Sequence, residues 1–235
     1  MPTVDLSVVT CVQDSIEELG RTLRSLDCLR WRPREVIVVS PILTLTEILQ
    51  STELNFLEIC AIKDSGAGIY PAMNEGREQA KSDLIMYLNA GDEVRAEPFR
   101  DIVEPGFLPY KVVGAGRRKF RQVGYHKLLF GQGYCHQAVI FPSSHRNYAV
   151  DYEIAADQDL IFEMVRQRKL NIKLSGGYVI FYKGGISTQR HKLRDIELLQ
   201  IFYRRRMKRH LCLCTLIFPV KWMVKYVLSA QRNAN

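Results

Sequence analysis

Short β-branched runs, separated by stretches with helical spacing, set the pattern of this chain. "VDLSVVTCV" (residues 4–12) is apolar at most positions, which predicts a buried strand. "DSIEELGRTLRSLDCL" then places Leu19, Leu23 and Leu26 at helical spacing, with Asp14 or Ser15 as the cap. "REVIVVS" predicts a second buried strand, "LTEILQS" a short helix and "LEICAIK" a third strand. A helix-like run and an apolar strand, Leu84 to Leu88, follow. From about residue 106 to 150 the character changes to glycines, aromatics and short strand-like pieces such as "KVVGAG" and "QAVIFP". "YEIAADQDLIFEMVRQRK" predicts an amphipathic helix with Ile161, Met164 and Val165 on one side, and "YVIFYKGG" a last strand.

Alternation of strand and helix predicts an α/β fold with a mostly parallel central sheet and flanking helices. In such sheets ligands bind beyond the carboxyl ends of the strands. Three loops should therefore crowd together: those after Thr10, after Ser40, and at Asn89–Glu93. The chain reads as one domain, residues 1–189, followed by a C-terminal tail, residues 190–235.

Charge sharpens that division. Of the net +8, the segment from Arg190 onward carries eleven Lys and Arg against Asp195 and Glu197, a net +9 that leaves residues 1–189 at −1. The six cysteines form no CxxC pair, which argues against a zinc site or a disulfide framework. The first residues run straight into a strand-like segment without the basic start of a secretory signal, so the expected setting is cytoplasmic.

The chemistry-bearing residues cluster in "DSGAGIYPAMNEGREQAKSDLIMYLNAGDE", residues 64–93. Asp92 follows a buried strand at its carboxyl end, where a carboxylate suits Mg²⁺ or Mn²⁺ bound to phosphates; Asn-Ala-Gly-Asp is equally turn chemistry. Asp64, on a glycine-rich turn, either accepts from a nucleotide base or ribose or caps its own turn. Asp157 and Asp159 sit near a helix start, where the dipole favours acids; Asp157, after two alanines, also suits a partly desolvated general base. His136 and Gln137 precede the strand "AVIFP", where a lone histidine is commonly structural.

Taken in order, "GIYPAMNEG" (68–76), "YLNAGDE" (87–93), "HQAVIFP" (136–142), "AADQDL" (155–160) and "GGIST" (184–188) resemble the family-two glycosyltransferases, in the branch making colanic acid and related bacterial surface polysaccharides. The resemblance covers about residues 4–190. It implies a GT-A fold, a nucleotide-sugar donor, a divalent Mg²⁺ or Mn²⁺ cofactor on the diphosphate, and inversion at the anomeric carbon. It maps the metal-binding motif onto Asn89–Asp92 with Asp92 as the ligand. It maps the general base onto Asp157 with Asp159 beside it, and a nucleoside contact onto Asp64; Gln137 is grouped with the donor-binding residues. Three positions depart from the family's strings: Val12-Gln13-Asp14 replaces a Tyr-Asn pair, "SPILTLTE" replaces an acidic run after the second strand, and Pro71 replaces an Asp. These departures imply a nucleoside held differently.

In the tail, "YRRRMKRH" precedes an apolar run, Leu211 to Val220, too short to span a bilayer of about 20 helical residues. Beyond Pro219, Lys221 and Lys225 fall on one helical face and Val220, Met223, Val224 and Val227 on the other. With Trp222 and Tyr226, that pattern suits either the surface of an anionic membrane or a packed terminal helix pair. The resemblance adds a lipid-linked saccharide acceptor and a peripheral place on the inner face of the cell membrane. Two other readings are a catalytically degenerate scaffold for polysaccharide assembly and a nucleic-acid binder. The basic run lacks the interleaved stacking aromatics of the latter, so no nucleic-acid partner is expected.

Overall fold

The computed structural model describes residues 2–52, 54–55, 58–114, 119–121, 134–170, 177–182 and 190–233. The "GGIST" string at 184–188 lies outside them, as do the side chains of Lys221, Val224, Lys225 and Val227.

Strands β1 (Thr3–Cys11) and β2 (Arg32–Ser40) are buried along almost their whole length, as expected for strands covered on both faces. Between them runs α1 (Ile16–Asp27), started by Ser15, whose hydroxyl accepts from the Glu18 N–H. Helix α2 (Leu45–Ser51) opens with a capping box of Thr44 and Glu47. Then follow β3 (Ile59–Lys63), α3 (Ile69–Gln79) and β4 (Leu84–Tyr87). Three short strands come next: β5 (Glu93–Arg95), β6 (Gly106–Phe107) and β7 (Tyr110–Val113). Strand β8 (Lys119–Arg121), a 3-10 turn at His136–Ala138 and β9 (Val139–Pro142) lead to α4 (Ala156–Arg166). The chain closes with β10 (Tyr178–Tyr182), α5 (His191–Arg204) and α6 (Lys208–Asn233).

The central sheet has the order β3-β2-β1-β4-β9-β6, with β3, β2, β1 and β4 mutually parallel and β9 antiparallel to β4. A second sheet, β5-β10-β7-β8, pairs β10 with β5 antiparallel and with β7 parallel. The α/β architecture expected from the alternating pattern is therefore observed. The strand order reverses between β1 and β4, the switch point at which such sheets open a crevice.

Two residues of α3 explain how it sits there. A Cβ on Gly76 would stand 2.5 Å from Val9 Cγ1 and 2.9 Å from Val39 Cγ2, so only glycine lets this helix lie so close on β1 and β2. Pro71 falls in the first helical turn, where the first i→i−4 bond belongs to Ala72 N–H and Gly68 C=O, so its missing N–H costs no helical hydrogen bond.

The segment expected as a tail begins inside the body. Leu198, Ile201 and Phe202 of α5, and Cys214 and Phe218 of α6, are buried in the same core as β1 and β4. The Trp222 indole donates to the Asp195 carboxylate at 2.9 Å, tying α6 to α5.

Candidate functional site

The loops after β1, β2, β3 and β4 are hydrogen-bonded to one another where the sheet ends. Val12 N–H donates to Val39 C=O, Asp64 N–H to Ser40 C=O, and Ala90 N–H to Cys11 C=O. The expected crowding of three loops is present, with Asp64 as a fourth member.

The loop after β4 is a tight turn whose Gly91 has φ 94°. Helix α1 fixes it: the Thr22 hydroxyl donates to Asp92 C=O at 2.7 Å and accepts from Gly91 N–H at 2.9 Å. Ser25 Oγ accepts from Val94 N–H. Both roles weighed for Asn-Ala-Gly-Asp coincide, because the turn delivers a buried carboxylate. Asp92 is only 5% exposed, and its Oδ1 accepts from the Tyr182 N–H at 2.7 Å. Burial pushes its carboxyl up to about 7, against the opposing hydrogen bonds from Tyr182 and the Gln137 side chain. Beside it, Asn89 Oδ1 is buried and makes no hydrogen bond among the described residues.

The 3-10 turn joins this loop to α4. Gln137 Oε1 accepts from Asn89 N–H at 3.3 Å, which leaves its amide NH₂ to donate to Asp92. One residue earlier, His136 Nδ1 lies 3.0 Å from Asp157 Oδ2. Asp157 also accepts from Gln158 N–H at 2.8 Å and from Gln158 Nε2 at 3.2 Å; the Tyr70 hydroxyl lies 3.2 Å away. That hydroxyl is 2.6 Å from Ile154 C=O and has one proton, so it donates there. Glu197 of α5 accepts from the N–H groups of Glu153, Ile154 and Ala155 at 2.8, 3.0 and 2.8 Å. A single carboxylate thus secures the approach to α4.

The sequence-predicted residues divide. Asn89, Asp92, Gln137 and Asp157 are brought together through the turn. Asp64 stands at the edge of the crevice, half-buried, with Oδ1 accepting from Gly66 N–H at 2.6 Å, so it does cap its own turn. Asp159 is not in the cluster: it is ion-paired with Arg146 and Arg205, which also engage Glu163. Two positions beyond Asp157, the helix has carried the side chain to another face. After β2, where "SPILTLTE" stands in place of an acidic run, Ser40 Oγ accepts from the N–H groups of Ile42 and Leu43 and turns the chain itself.

Three contributors escaped the sequence: Tyr70, Thr22 and Glu197; His136, read there as a structural histidine, is found on Asp157. Glu197 left a trace, an acid four residues before the apolar Ile201 on one helical face. The other two left none, because their partners are 67 or more residues away.

No protein-family model matches the chain, and no curated protein matches it. Solved structures do match in fold. The mannosyltransferase PcManGT from Pyrobaculum calidifontis, solved in complex with GDP-Man and Mn²⁺, superposes with TM-score 0.63 at 14% identity, over 90% of this chain and 68% of that one. S. aureus TarS superposes with TM-score 0.59 at 15% identity, over 84% of this chain. Its fragment 1–349 with UDP-GlcNAc gives 0.59 at 14% identity over 83%. The fold is a glycosyltransferase fold. The chain spans 39% of the TarS structure and 65% of the 1–349 fragment.

Proposed function

We propose that the chain is an inverting glycosyltransferase that moves a sugar from a nucleotide-sugar donor to a lipid-linked saccharide acceptor in bacterial surface polysaccharide synthesis, in the colanic acid, capsule or lipopolysaccharide class. The observation that carries this reading is the pair of carboxylates, Asp92 and Asp157, held on one scaffold by the His136–Gln137 turn. The fold neighbours bound to UDP-GlcNAc and to GDP-Man with Mn²⁺ support it.

In this reading Asp64 lies at the nucleoside end and Asn89, Asp92 and Gln137 at the diphosphate end. The residues there fit a hard divalent cation, Mg²⁺ or Mn²⁺. Asp92 is a desolvated carboxylate whose charge a cation would stabilise, and Asn89 Oδ1, unpartnered among the described residues, could supply a second oxygen. When bound, the ion would neutralise charge on the leaving diphosphate. Asp157 belongs to the acceptor side, where the hydroxyl proton must be taken up as the anomeric carbon is attacked from the face opposite the leaving group. One displacement inverts the centre and needs no covalent nucleophile. Asp159, neutralised by two arginines, holds α4 against α5 and stays outside the chemistry.

Helix α6 supports a place on the membrane. Its inner face buries Cys214 and Phe218, yet Leu216, Val220 and Met223, on the opposite face, are 73%, 56% and 62% exposed. Arg204 and Arg206 just before it, and Lys208 at its first position, are exposed. No described helix is long and apolar enough to cross a membrane. An apolar stripe beside exposed cations suits the interface of an anionic bilayer, on the inner face of the cell membrane where lipid-linked acceptors are presented.

A thermal-shift panel of UDP, GDP, CDP and dTDP sugars, each with and without Mn²⁺, tests the reading. A metal-dependent rise with one nucleotide, absent in Asp92→Ala, is expected. No rise with any donor would replace it with a scaffold role.

A further inference from the structure

We propose that the acceptor's proton is taken up by Nε2 of His136, with Asp157 as the carboxylate that orients and charges the ring; this rests on the glycosyl-transfer reading. Hydrogen bonding assigns the two roles. As a carboxylate, Asp157 only accepts, so His136 Nδ1 at 3.0 Å must carry the hydrogen. In the neutral ring the Nε2 lone pair is then free.

The surroundings of each group point the same way. Asp157 already receives fixed donors on both oxygens: Gln158 N–H on Oδ1, and Gln158 Nε2–H and His136 Nδ1–H on Oδ2. Three donors fill three of the roughly four lone-pair sites of this carboxylate, both of those on Oδ2 included, which makes it a weaker direct base than the open imidazole nitrogen. The side chain of Asp157 is 12% exposed and that of His136 16%. His136 Nε2 itself is buried and has no hydrogen-bond partner among the described residues. Leaving a buried polar atom unpaired is costly, and such an atom calls for a reason such as a catalytic role.

The position is also right. His136 and Gln137 are consecutive in one turn, with Gln137 on the Asp92 loop and His136 on Asp157. The ring therefore sits on the turn that ties the Asp92 loop to the start of α4. In the step itself, the acceptor oxygen forms a bond to the anomeric carbon, and the carbon–oxygen bond to the diphosphate breaks, its electron pair leaving with the phosphate. The hydroxyl proton passes to Nε2. The resulting imidazolium is paired with the Asp157 carboxylate and later loses that proton to solvent. An Asp that fixes the tautomer of a His and stabilises its charged form is a recurrent device for proton transfer.

His136→Asn tests the assignment, because its amide can still donate to Asp157 while the Nε2 base is gone. With the donor found by the thermal-shift panel and a saccharide acceptor, kcat should fall about 10²- to 10⁴-fold. The donor Kd should stay within a few-fold, which also reports that the variant folds. The acidic limb of the pH–kcat profile should disappear. Asp157→Asn should fall comparably, and the double variant no further, because the two act as one unit. If His136→Asn keeps its acidic limb and loses less than about tenfold while Asp157→Asn is inactive, Asp157 is the base alone and the assignment is wrong, with glycosyl transfer intact. If the wild-type protein binds a donor in none of the panel and transfers nothing, both fall together.

Discussion

The carboxylate of Glu197 accepts from the backbone N–H of Ala155 at 2.8 Å, two residues before Asp157. The same carboxylate takes the N–H groups of Glu153 and Ile154, so three amides of the segment entering α4 end on one side chain of α5. Ala155 offers no side-chain cap to α4, and Glu197 is what holds its start in place.

Glu197→Gln should therefore act on both stability and turnover. It keeps the shape but has one acceptor oxygen for three amides, which leaves buried donors unpaired at about 1–3 kcal/mol. Urea unfolding should show that loss, and kcat should fall more than the donor Kd changes, since the donor end of the crevice is pinned from α1. Unchanged unfolding midpoint and kcat would show that the three amides find other acceptors.

In the proposed reading, Asp92 would link metal binding to pH. Its folded value, about 7, is raised above the ordinary 3.8 by burial. The folded state is thus favoured by this group below about pH 4, and the benefit is lost as pH rises through about 7. Without metal, Asp92→Asn should be the more stable protein at pH 8 and nearly equal to wild type at pH 4. Because the cation needs the ionised carboxylate, the Mn²⁺-dependent Tm rise of the wild type should grow between pH 5 and 8. Parallel Tm–pH curves for wild type and Asp92→Asn would sink this linkage.

His145 works in the opposite direction. Burial, with Arg77 and Arg146 nearby, pushes its imidazole down from 6.5 to about 4, against the hydrogen bond to Arg146 C=O. Its Nδ1–H donates to that carbonyl and its Nε2 accepts from the Tyr87 hydroxyl at 3.0 Å, an arrangement only the neutral ring can make. The folded value being depressed, its stabilising contribution is whole above about pH 6.5 and is lost as pH falls toward 4, on the order of 3 kcal/mol in all. Asp92 titrates in both proteins, so the difference is what isolates His145: the stability of the wild type relative to His145→Gln should grow as pH rises from about 4 to 6.5. A difference that stays constant over that window would remove His145 from the acid response.

The two faces of α6 separate packing from membrane binding. Truncating Phe218, which is 2% exposed, should cost about 3–5 kcal/mol of stability. Replacing Leu216, Val220 and Met223 together by Glu should change the unfolding free energy by no more than about 1.5 kcal/mol, at about 0.5 kcal/mol for each exposed position. The same triple variant should lose co-sedimentation with vesicles rich in anionic lipid. Sedimentation equal to that of wild type would assign the exposed stripe to something other than a bilayer. Deleting residues 203–235 would confuse the two effects, since Cys214 and Phe218 belong to the core.

Local periodicity was enough for the architecture. Continuous β-branched runs at β1 and β2, helical spacing at α1, and caps at Ser15 and Thr44 are properties of neighbouring residues, and each formed as its pattern required. The same logic placed Asp92 at a strand's carboxyl end. What one-dimensional spacing could not hold was the choice among partners. Asp157 and Asp159 are equivalent on the chain, yet one meets His136 and the other two arginines, because residues two apart on a helix face different neighbours. Likewise Glu197 read as a charge in a basic segment, and α6 as an appendage, until the fold set α5 and α6 against the core. Sequence determined which elements form and where the strands end. Tertiary packing decided which acid is neutralised, which is paired with an imidazole, and which backbone amides need a distant carboxylate, since burial makes each unpaired polar group costly.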